Sequence, residues 1–333
     1  MRAVWYEKLG PAPEVLTAGT MPDPEPGPGE VRVRIAFSGV NPSDVKRRAG
    51  TRDAAMPFPR VIPDMDGSGI IDRAGPGVDA KRVGERVWLH STQWKRPFGT
   101  AADYAVTPAH RAIRLPEGIG FAAGASLGVP AMTAHRAVFG QGSVTGKTVL
   151  VTGGAGAVGF YAIQLARWAG ARVIATVSGA EKGELARKGH ADAVIDYKSE
   201  NVPERVMALT RGTGVDHVVD VDFGANLQAT LASIRDNGSI STYASMGRPE
   251  PAIPFYALMF KNIRLAWVFV YDMAQSAIDD ATRDVNAWLS GVTAVLPPFR
   301  TFPLERLAEA HLAVEKGTVG KVLVECGGEG VGV

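Results

Sequence analysis

One short stretch constrains the fold of this chain more than any other. Residues 148–152 form a β-branched apolar run, residues 153–159 form a turn with four glycines, and residues 160–169 carry a helical apolar periodicity. Strand, glycine turn and helix in this order are the context in which a glycine motif indicates dinucleotide binding. The turn must be small because its backbone lies against a pyrophosphate, which the helix N-terminus stabilises. The residues expected to contact this pyrophosphate are Ala155, Gly156, Ala157 and Val158.

The sequence around this turn keeps alternating between strand and helix patterns. The apolar runs are solid, as is typical of parallel strands covered on both faces, and the segments between them are long enough for crossover connections. The predicted strands are 148–152, 172–177, 193–196, 216–221, 239–243 and 264–270. The predicted helices between them are 160–169, 181–189, 201–210 and 226–234. We therefore predict an α/β Rossmann domain with a doubly wound six-stranded sheet.

The first 120 residues have a different pattern. Residues 31–37 alternate with period two, so that one face of the strand is buried and the other is wet, and a Pro/Gly-rich loop precedes them. Further short strands are predicted at 62–71, 86–90 and 101–107. This pattern indicates an all-β domain, in the form of a partly open barrel.

The end of the chain is expected to return to this first domain. Helices are predicted at 274–290 and 304–316, followed by a last strand at 320–325. The predicted division is therefore 1–122 with 271–333 for the β domain, and 123–270 for the inserted nucleotide-binding domain.

Composition excludes several classes of protein. A chain of 333 residues allows two domains with real cores, and a net charge of +2 without a basic run gives no support for nucleic-acid binding. No apolar run approaches the length of a membrane span, and the N-terminus lacks the apolar core of a signal peptide, so we expect no membrane association and a cytoplasmic location. The single cysteine, Cys326, excludes an intramolecular disulfide and any cysteine-cluster zinc site.

Several short motifs follow one another along nearly the whole chain. They lie at residues 39–44, 67–69, 84–87, 98–104, 128–134 and 318–322, together with the glycine turn. As a set they resemble the medium-chain dehydrogenase/reductase superfamily, and within it the zinc-free quinone oxidoreductase branch. The resemblance implies a GroES-like β domain beside the Rossmann domain, NADPH as cofactor, a small-molecule quinone or enone as substrate, and a homodimer.

The ligands of the zinc-containing members are missing. Those members carry a cysteine where this chain has Asn41, and a His-Glu pair where it has Met65-Asp66. Asp64, Asp66 and His90 remain, but without a thiolate this set is wrong for catalytic zinc. We expect no metal, with Asp64 and Asp66 closing a turn.

The strand after the glycine turn predicts which nicotinamide cofactor is used. NAD enzymes place an acid there, on the ribose hydroxyls. Here the strand ends at Ser178, and Lys182 follows four residues later. A small hydroxyl and a lysine would accept the 2′-phosphate of NADPH, which a carboxylate would repel. The alternative is that Ser178 caps a helix and Lys182 is a solvated charge. The resemblance adds Tyr197 to the same phosphate site, and an ordinary aromatic at the rim of the sheet is the alternative for this residue.

Further cofactor contacts are expected where the later strands end. Ser245, Phe269 and Val270 lie at the ends of the fifth and sixth predicted strands, where doubly wound sheets bind ligands. The resemblance adds Asn226 at the ribose, and Lys321 is expected to reach the cofactor from the last strand. Helix capping for Asn226, and core packing for Phe269 and Val270, are the alternatives.

The expected reaction is hydride transfer to a quinone, which needs no metal because the cofactor carries the chemistry. Thr133 is expected to hold the nicotinamide amide, and Asn41 to donate a hydrogen bond to the quinone oxygen; a plain Asn-Pro turn is the alternative for Asn41. Many relatives carry a tyrosine shortly after this segment, but Arg52 stands there in this chain, which argues against enoyl-thioester reduction. An enone or enoyl reductase and a non-enzymatic NADPH-binding protein are the alternative functions.

The predicted strand 264–270 is apolar and lies at the edge of the sheet. An open apolar edge would aggregate, so we expect it to pair with a second copy of the chain about a twofold axis. A loop or helix of the same chain is the alternative cover.

Overall fold

The computed structural model describes residues 1–51 and 55–327, so Arg52 lies outside the described residues. The strands are β1 Arg2–Trp5, β2 Thr17–Thr20, β3 Glu30–Val40, β4 Asp66–Ala74, β5 Arg86–Leu89, β6 Tyr104–Pro108, β7 Ala112–Arg114, β8 Thr148–Val151, β9 Arg172–Val177, β10 Ala193–Asp196, β11 Val215–Asp220, β12 Ile234–Thr242, β13 Arg264–Trp267, β14 Phe299–Pro303 and β15 Lys321–Glu325. The α-helices are α1 Ala12–Val15, α2 Pro42–Ala49, α3 Phe121–Ala125, α4 Gly128–Phe139, α5 Ala157–Trp168, α6 Ala180–Lys188, α7 Val202–Leu209, α8 Phe223–Ser233, α9 Phe255–Phe260, α10 Gln275–Leu289 and α11 Leu307–Glu315. Among the helices of these described ranges, none has the length and apolar character needed to cross a membrane.

The described residues form two compact units. Unit 1 combines residues up to 129 with residues from 298 onward, and unit 2 consists of residues 130–297. The larger sheet of unit 1 has the strand order β14-β15-β3-β4-β5-β7, with β6 also paired to β3. Its strands pair antiparallel except for β14 and β15, which are parallel. One face of β3 is buried as predicted, since Val31, Val33 and Ile35 lie in the core of this unit, but the expected wet face is wrong, because Arg32 and Ala36 are only 4% and 3% exposed.

Helix α2 departs from the all-β expectation for the first domain. Pro42 occupies its first turn, where a missing N–H costs nothing, and the Asn41 N–H donates to the Asp44 carboxylate at 2.8 Å. Gly50, with φ +76°, ends the helix. The start signal was present in the sequence as Asn-Pro followed by an acid three residues after the asparagine.

Unit 2 confirms the predicted doubly wound sheet. Its six strands run parallel in the order β10-β9-β8-β11-β12-β13. The strand order reverses between β8 and β11, and ligands bind at the carboxyl ends of the strands at such a reversal. Leu150, Ile174 and Val218 are buried in a cluster on this sheet, as expected for strands covered on both faces.

The last strand of the parallel sheet is shorter than predicted. The expected strand 264–270 pairs with β12 only over Arg264–Trp267, and a 3₁₀ turn follows at Val270–Asp272. The strand is also less buried than its apolar sequence suggested, because Leu265 and Ala266 are half-buried and Trp267 is 63% exposed. β13 is nevertheless an edge strand of this sheet.

Unit 2 extends beyond the predicted boundary at residue 270, because α10 packs on α5. Tyr161 of α5 and Trp288 of α10 meet edge to face at 5.7 Å, and both are buried. Gln164 of α5 also forms two hydrogen bonds, of 2.7 and 2.8 Å, with the backbone of Val295. The unit therefore runs from 130 to 297 rather than from 123 to 270.

Candidate active site

The glycine turn after β8 is closely packed. Gly153 has φ +67°, a left-handed conformation that favours glycine. A Cβ on Gly159 would lie 2.3 Å from the carbonyl oxygen of Gly153, so only glycine lets α5 approach the turn this closely. Helix α5 begins at Ala157 with Gly156 as its N-cap residue, and its first N–H groups have no carbonyl of their own helix to bond. Ala155 is buried, Ala157 and Val158 are half-buried, and Gly156 is exposed, an arrangement that fits a diphosphate at the helix N-terminus.

Ser178 and Lys182 are in contact at the end of β9. The Lys182 ammonium donates to the Ser178 hydroxyl at 3.0 Å, and both residues are half-buried. Gly179, not Ser178, is the N-cap residue of α6, and no side chain caps that helix. The capping alternative for Ser178 therefore does not hold. Because β9 pairs with β8, this contact and the glycine turn lie at the same edge of the sheet.

Tyr197 follows β10 at this edge. Its N–H donates to the Val177 carbonyl, the last residue of β9, at 3.1 Å, and its side chain is 53% exposed. The exposed ring of Tyr197 thus follows a strand, β10, that neighbours the strand preceding Ser178.

Asn226 and Ser245 are held by polar contacts beyond β11 and β12. The Asn226 amide donates to the buried Asp220 carboxylate at 2.7 Å, and Asp222 rather than Asn226 is the N-cap residue of α8. The Ser245 hydroxyl accepts from the Gly224 N–H at 3.0 Å. Burial raises the pKa of Asp220, although the hydrogen bond from Asn226 opposes this shift. Asp220 organises this edge of the sheet and was not singled out from the sequence.

The remaining predicted residues of unit 2 differ in exposure. Phe269 is 49% exposed and stacks edge to face on Tyr271 at 5.4 Å, whereas Val270 is buried. Core packing is therefore the better interpretation for Val270, but not for Phe269. Thr133 is buried on α4.

Unit 1 contains a buried polar cluster around Asp66, at the start of β4. One Asp66 carboxylate oxygen accepts from the Asn41 amide at 2.8 Å and from the Lys321 ammonium at 3.2 Å. The other accepts from the Val129 N–H at 2.8 Å. The Lys321 ammonium also donates to the Asn41 amide oxygen at 2.6 Å, so these three side chains form a closed triangle. Lys321, Asn41 and Asp66 are 2%, 3% and 0% exposed.

The triangle changes the expectation for Asn41. Its side-chain amide donates to Asp66 and, at 3.3 Å, to the carbonyl of Gly39. Both amide hydrogens are thus engaged within unit 1. In this arrangement Asn41 is not free to donate to a substrate oxygen, and Lys321 is bound to Asn41 and Asp66.

Asp64 and His90 do not join this cluster as ligands. Asp64 accepts from the Ser38 hydroxyl at 2.9 Å and lies 3.3 Å from His311, and its φ of +74° puts it in a left-handed turn. His90 is buried, and burial lowers its pKa to about 3. In the part of the chain that the structure describes, no group of three or more His, Cys, Asp or Glu side chains could hold a metal ion.

The comparisons with known proteins agree with this architecture. Residues 27–117 match the family described as alcohol dehydrogenase GroES-like domain, and residues 157–287 match the family described as zinc-binding dehydrogenase. Human quinone oxidoreductase is 28% identical over 335 residues, which cover 97% of each chain. A mycobacterial protein solved with NADPH is 28% identical with a TM-score of 0.85, covering 98% of this chain and 99% of the other. A structure described as an NAD-dependent alcohol dehydrogenase is 30% identical with a TM-score of 0.87, covering 98% and 100%.

The two units and the glycine-turn edge define an oxidoreductase with a fold for a nicotinamide cofactor. The chain belongs to the medium-chain dehydrogenase/reductase superfamily, and relatives named quinone oxidoreductase and probable quinone oxidoreductase are each 28% identical to it.

The buried cluster predicts an unusual pH dependence of stability. Burial, together with the negative charges of Asp64 and Asp66, raises the pKa of Asp44 well above its usual range. The folded protein therefore keeps a proton on Asp44 at pH values where the unfolded chain has released it, so this group lowers the free energy of unfolding as the pH rises. As the pH rises from about 5 to 8, we expect the free energy of unfolding to fall less for Asp44→Asn than for the parent protein.

Urea unfolding midpoints at several pH values measure this difference. Asp236→Asn, at an exposed position, is the matched control and is expected to follow the parent protein. Equal pH slopes for the parent protein and Asp44→Asn would contradict the prediction.

Proposed function

We propose that this oxidoreductase is an NADPH-dependent, zinc-independent quinone reductase. The observation that carries the choice of cofactor is the Lys182–Ser178 contact at the end of β9, where the residue after the strand is a serine rather than an acid. When bound, NADPH would supply the hydride. The first N–H groups of α5 would hold its diphosphate, and Ser178, Lys182 and Tyr197 its 2′-phosphate.

The other predicted contacts divide between the two ends of the cofactor. Asn226 would face the ribose side, and Thr133, Ser245 and Phe269 the nicotinamide side. Val270 would support Phe269 from the core. The positions of Ser245 and Phe269 after β12 and β13 are consistent with ligand binding at the carboxyl ends of parallel strands.

The choice of a quinone as acceptor follows from the metal ligands that the described residues lack. The described residues provide no metal-ligand group, so a simple ketone or alcohol would lack a Lewis acid. A quinone accepts a hydride readily and leaves a delocalised, weakly basic oxyanion, so a hydrogen-bond donor suffices. The similarity to human quinone oxidoreductase supports this acceptor class.

A panel of acceptors tests the proposed reaction. We expect saturable NADPH oxidation with 1,4-benzoquinone and 1,4-naphthoquinone, weaker turnover with 2-cyclohexenone, and none without an acceptor. Activity is expected to survive dialysis against a chelator. Preferential turnover of the enone would favour the enone-reductase alternative. NADPH binding without turnover of any acceptor would indicate a binding protein, and chelator-sensitive alcohol oxidation with NADP⁺ would overturn zinc independence.

Lys182 is expected to discriminate between NADPH and NADH. Lys182→Ala should weaken NADPH binding by about ten- to a hundredfold, the range of a hydrogen bond to a charged partner, and leave NADH binding unchanged. Fluorescence titration of each cofactor measures both affinities. Lys188→Ala, an exposed lysine at the end of the same helix, is the control. A parent protein with equal affinity for the two cofactors would rule out the phosphate site.

We also propose a homodimer, whose interface is formed by α9 together with β13. The rings of Phe255, Tyr256, Phe260 and Trp267 are 63–75% exposed. Those of Phe255 and Tyr256 lie 5.4 Å apart, and those of Tyr256 and Phe260 lie 5.8 Å apart. Exposed aromatic surface beside an open sheet edge is typical of an interface.

Phe260→Glu is expected to convert the dimer into a monomer, because a carboxylate would be desolvated at the interface. Light scattering at micromolar concentration measures the mass. Trp168→Glu, at an exposed position on α5, is the control and should stay dimeric. A monomeric parent protein would refute the assembly.

A further inference from the structure

Lys321 places a positive charge inside the core of unit 1. It begins β15, where the following Val322, Leu323 and Val324 are all buried. A buried ammonium is costly unless it is paired and hydrogen-bonded. Its partners are the amide oxygen of Asn41 at 2.6 Å and the carboxylate of Asp66 at 3.2 Å. Two polar side chains of the cluster therefore hold one cation in place.

The ammonium has more donors than these partners use. A lysine ammonium carries three N–H groups, and the two contacts occupy two of them. Among the described residues, the third N–H has no partner. The second carboxylate oxygen of Asp66 does not accept from this third N–H, because it accepts from the Val129 N–H at 2.8 Å. One N–H of a fixed cation is thus left for an acceptor that the described residues do not supply.

The charges around Lys321 decide what that acceptor is. The carboxylate in contact with the ammonium is that of Asp66, at 3.2 Å, whereas the Asp44 carboxylate accepts from the Asn41 N–H. The Asn41 amide hydrogens point to Asp66 and Gly39, so Asn41 does not compete as a donor. A single charged N–H in a water-poor site is suited to an oxygen on which negative charge develops.

We propose that the Lys321 ammonium, held by Asn41 and Asp66, binds the anionic oxygen that forms on the acceptor during its reduction. This role rests on the proposed quinone reductase function. As the quinone takes up a hydride, an electron pair moves onto a carbonyl oxygen, which becomes a phenolate hydrogen-bonded to Lys321. The ammonium keeps its proton, and a proton from water completes the hydroquinone. Asn41 and Asp66 act as positioning residues, and Lys321 is the catalytic residue.

An anionic oxygen could also come from the diphosphate of the cofactor. The two sources predict different behaviour of variants at position 321. Binding of the acceptor oxygen affects turnover and leaves cofactor affinity intact, whereas binding of the diphosphate changes cofactor affinity first. The experiment therefore measures both quantities in the same proteins.

Lys321→Met removes the charge at similar volume, Lys321→Gln keeps a hydrogen-bonding side chain, and Lys321→Arg keeps the charge. We expect the two neutral variants to lose about ten- to a hundredfold in kcat with quinones, less than the ~10²–10³-fold typical of strong oxyanion sites, because the hydroquinone anion is weakly basic. The loss should grow along a series of quinones whose products are more basic phenolates. Lys321→Arg should recover part of the rate, and the Kd for NADPH should change less than twofold in all three.

A second readout does not depend on turnover. The phenolate of 4-nitrophenol absorbs at longer wavelength than the phenol, so its binding to the protein with NADP⁺ shows which form is bound. We expect the parent protein and Lys321→Arg to favour the phenolate, and the Met and Gln variants to lose this preference. Thermal unfolding and NADPH binding identify any variant that fails to fold, and the Gln variant is expected to fold even if the Met variant does not.

Each other outcome overturns the role proposed for Lys321. A large loss of NADPH affinity with unchanged nitrophenolate binding would assign Lys321 to the cofactor diphosphate. Unchanged turnover and unchanged nitrophenolate binding would make the triangle a purely structural ion pair. If the parent protein reduces no quinone, the proposed function fails, and nitrophenolate binding still decides whether Lys321 binds an anionic oxygen.

Discussion

The close approach of α5 to the turn after β8 is the constraint on which the parallel-sheet unit depends. A Cβ at residue 159 would lie 2.3 Å from the Gly153 carbonyl oxygen, so any larger residue would push the helix away from the sheet. The helix N-terminus would then move away from the strand ends. Its free N–H groups and the Ser178–Lys182 contact lie at one edge only because the helix sits this close. A packing requirement therefore fixes the geometry of an electrostatic site.

Local patterns made most of this unit predictable from sequence. The solid apolar strands and the helix periodicities depend on residues close together in the chain, and the predicted strands at 172–177 and 193–196 are confirmed to the residue. The errors arose where tertiary context decides. The apolar stretch 264–270 bends into a 3₁₀ turn after four paired residues, and α10 joins unit 2 through the Tyr161–Trp288 contact rather than through its sequence position.

The site was predictable to the extent that its contacts are local. Ser178 and Lys182 are four residues apart, and a strand end followed by a helix brings them together. Lys321 and Asp66 are 255 residues apart, and their contact exists only because β15 pairs with β3 beside β4. The sequence did contain one signal, a lysine directly before the three apolar residues of the last strand. It indicated a buried charge without identifying the partner.

The pairing of β15 with β3 also has a consequence for how the chain is made. All six parallel strands of unit 2 lie in the continuous segment 130–297, so this unit has every strand it needs once that segment has left the ribosome. Unit 1 does not, because β6 covers only the first part of one side of β3, and Phe37–Val40 on that side stays unpaired until β15 is synthesised. Domains fold as units during synthesis, and open strand edges promote association. The inserted unit is therefore complete first, and the nascent β3 edge is the part of the chain that most needs protection during translation.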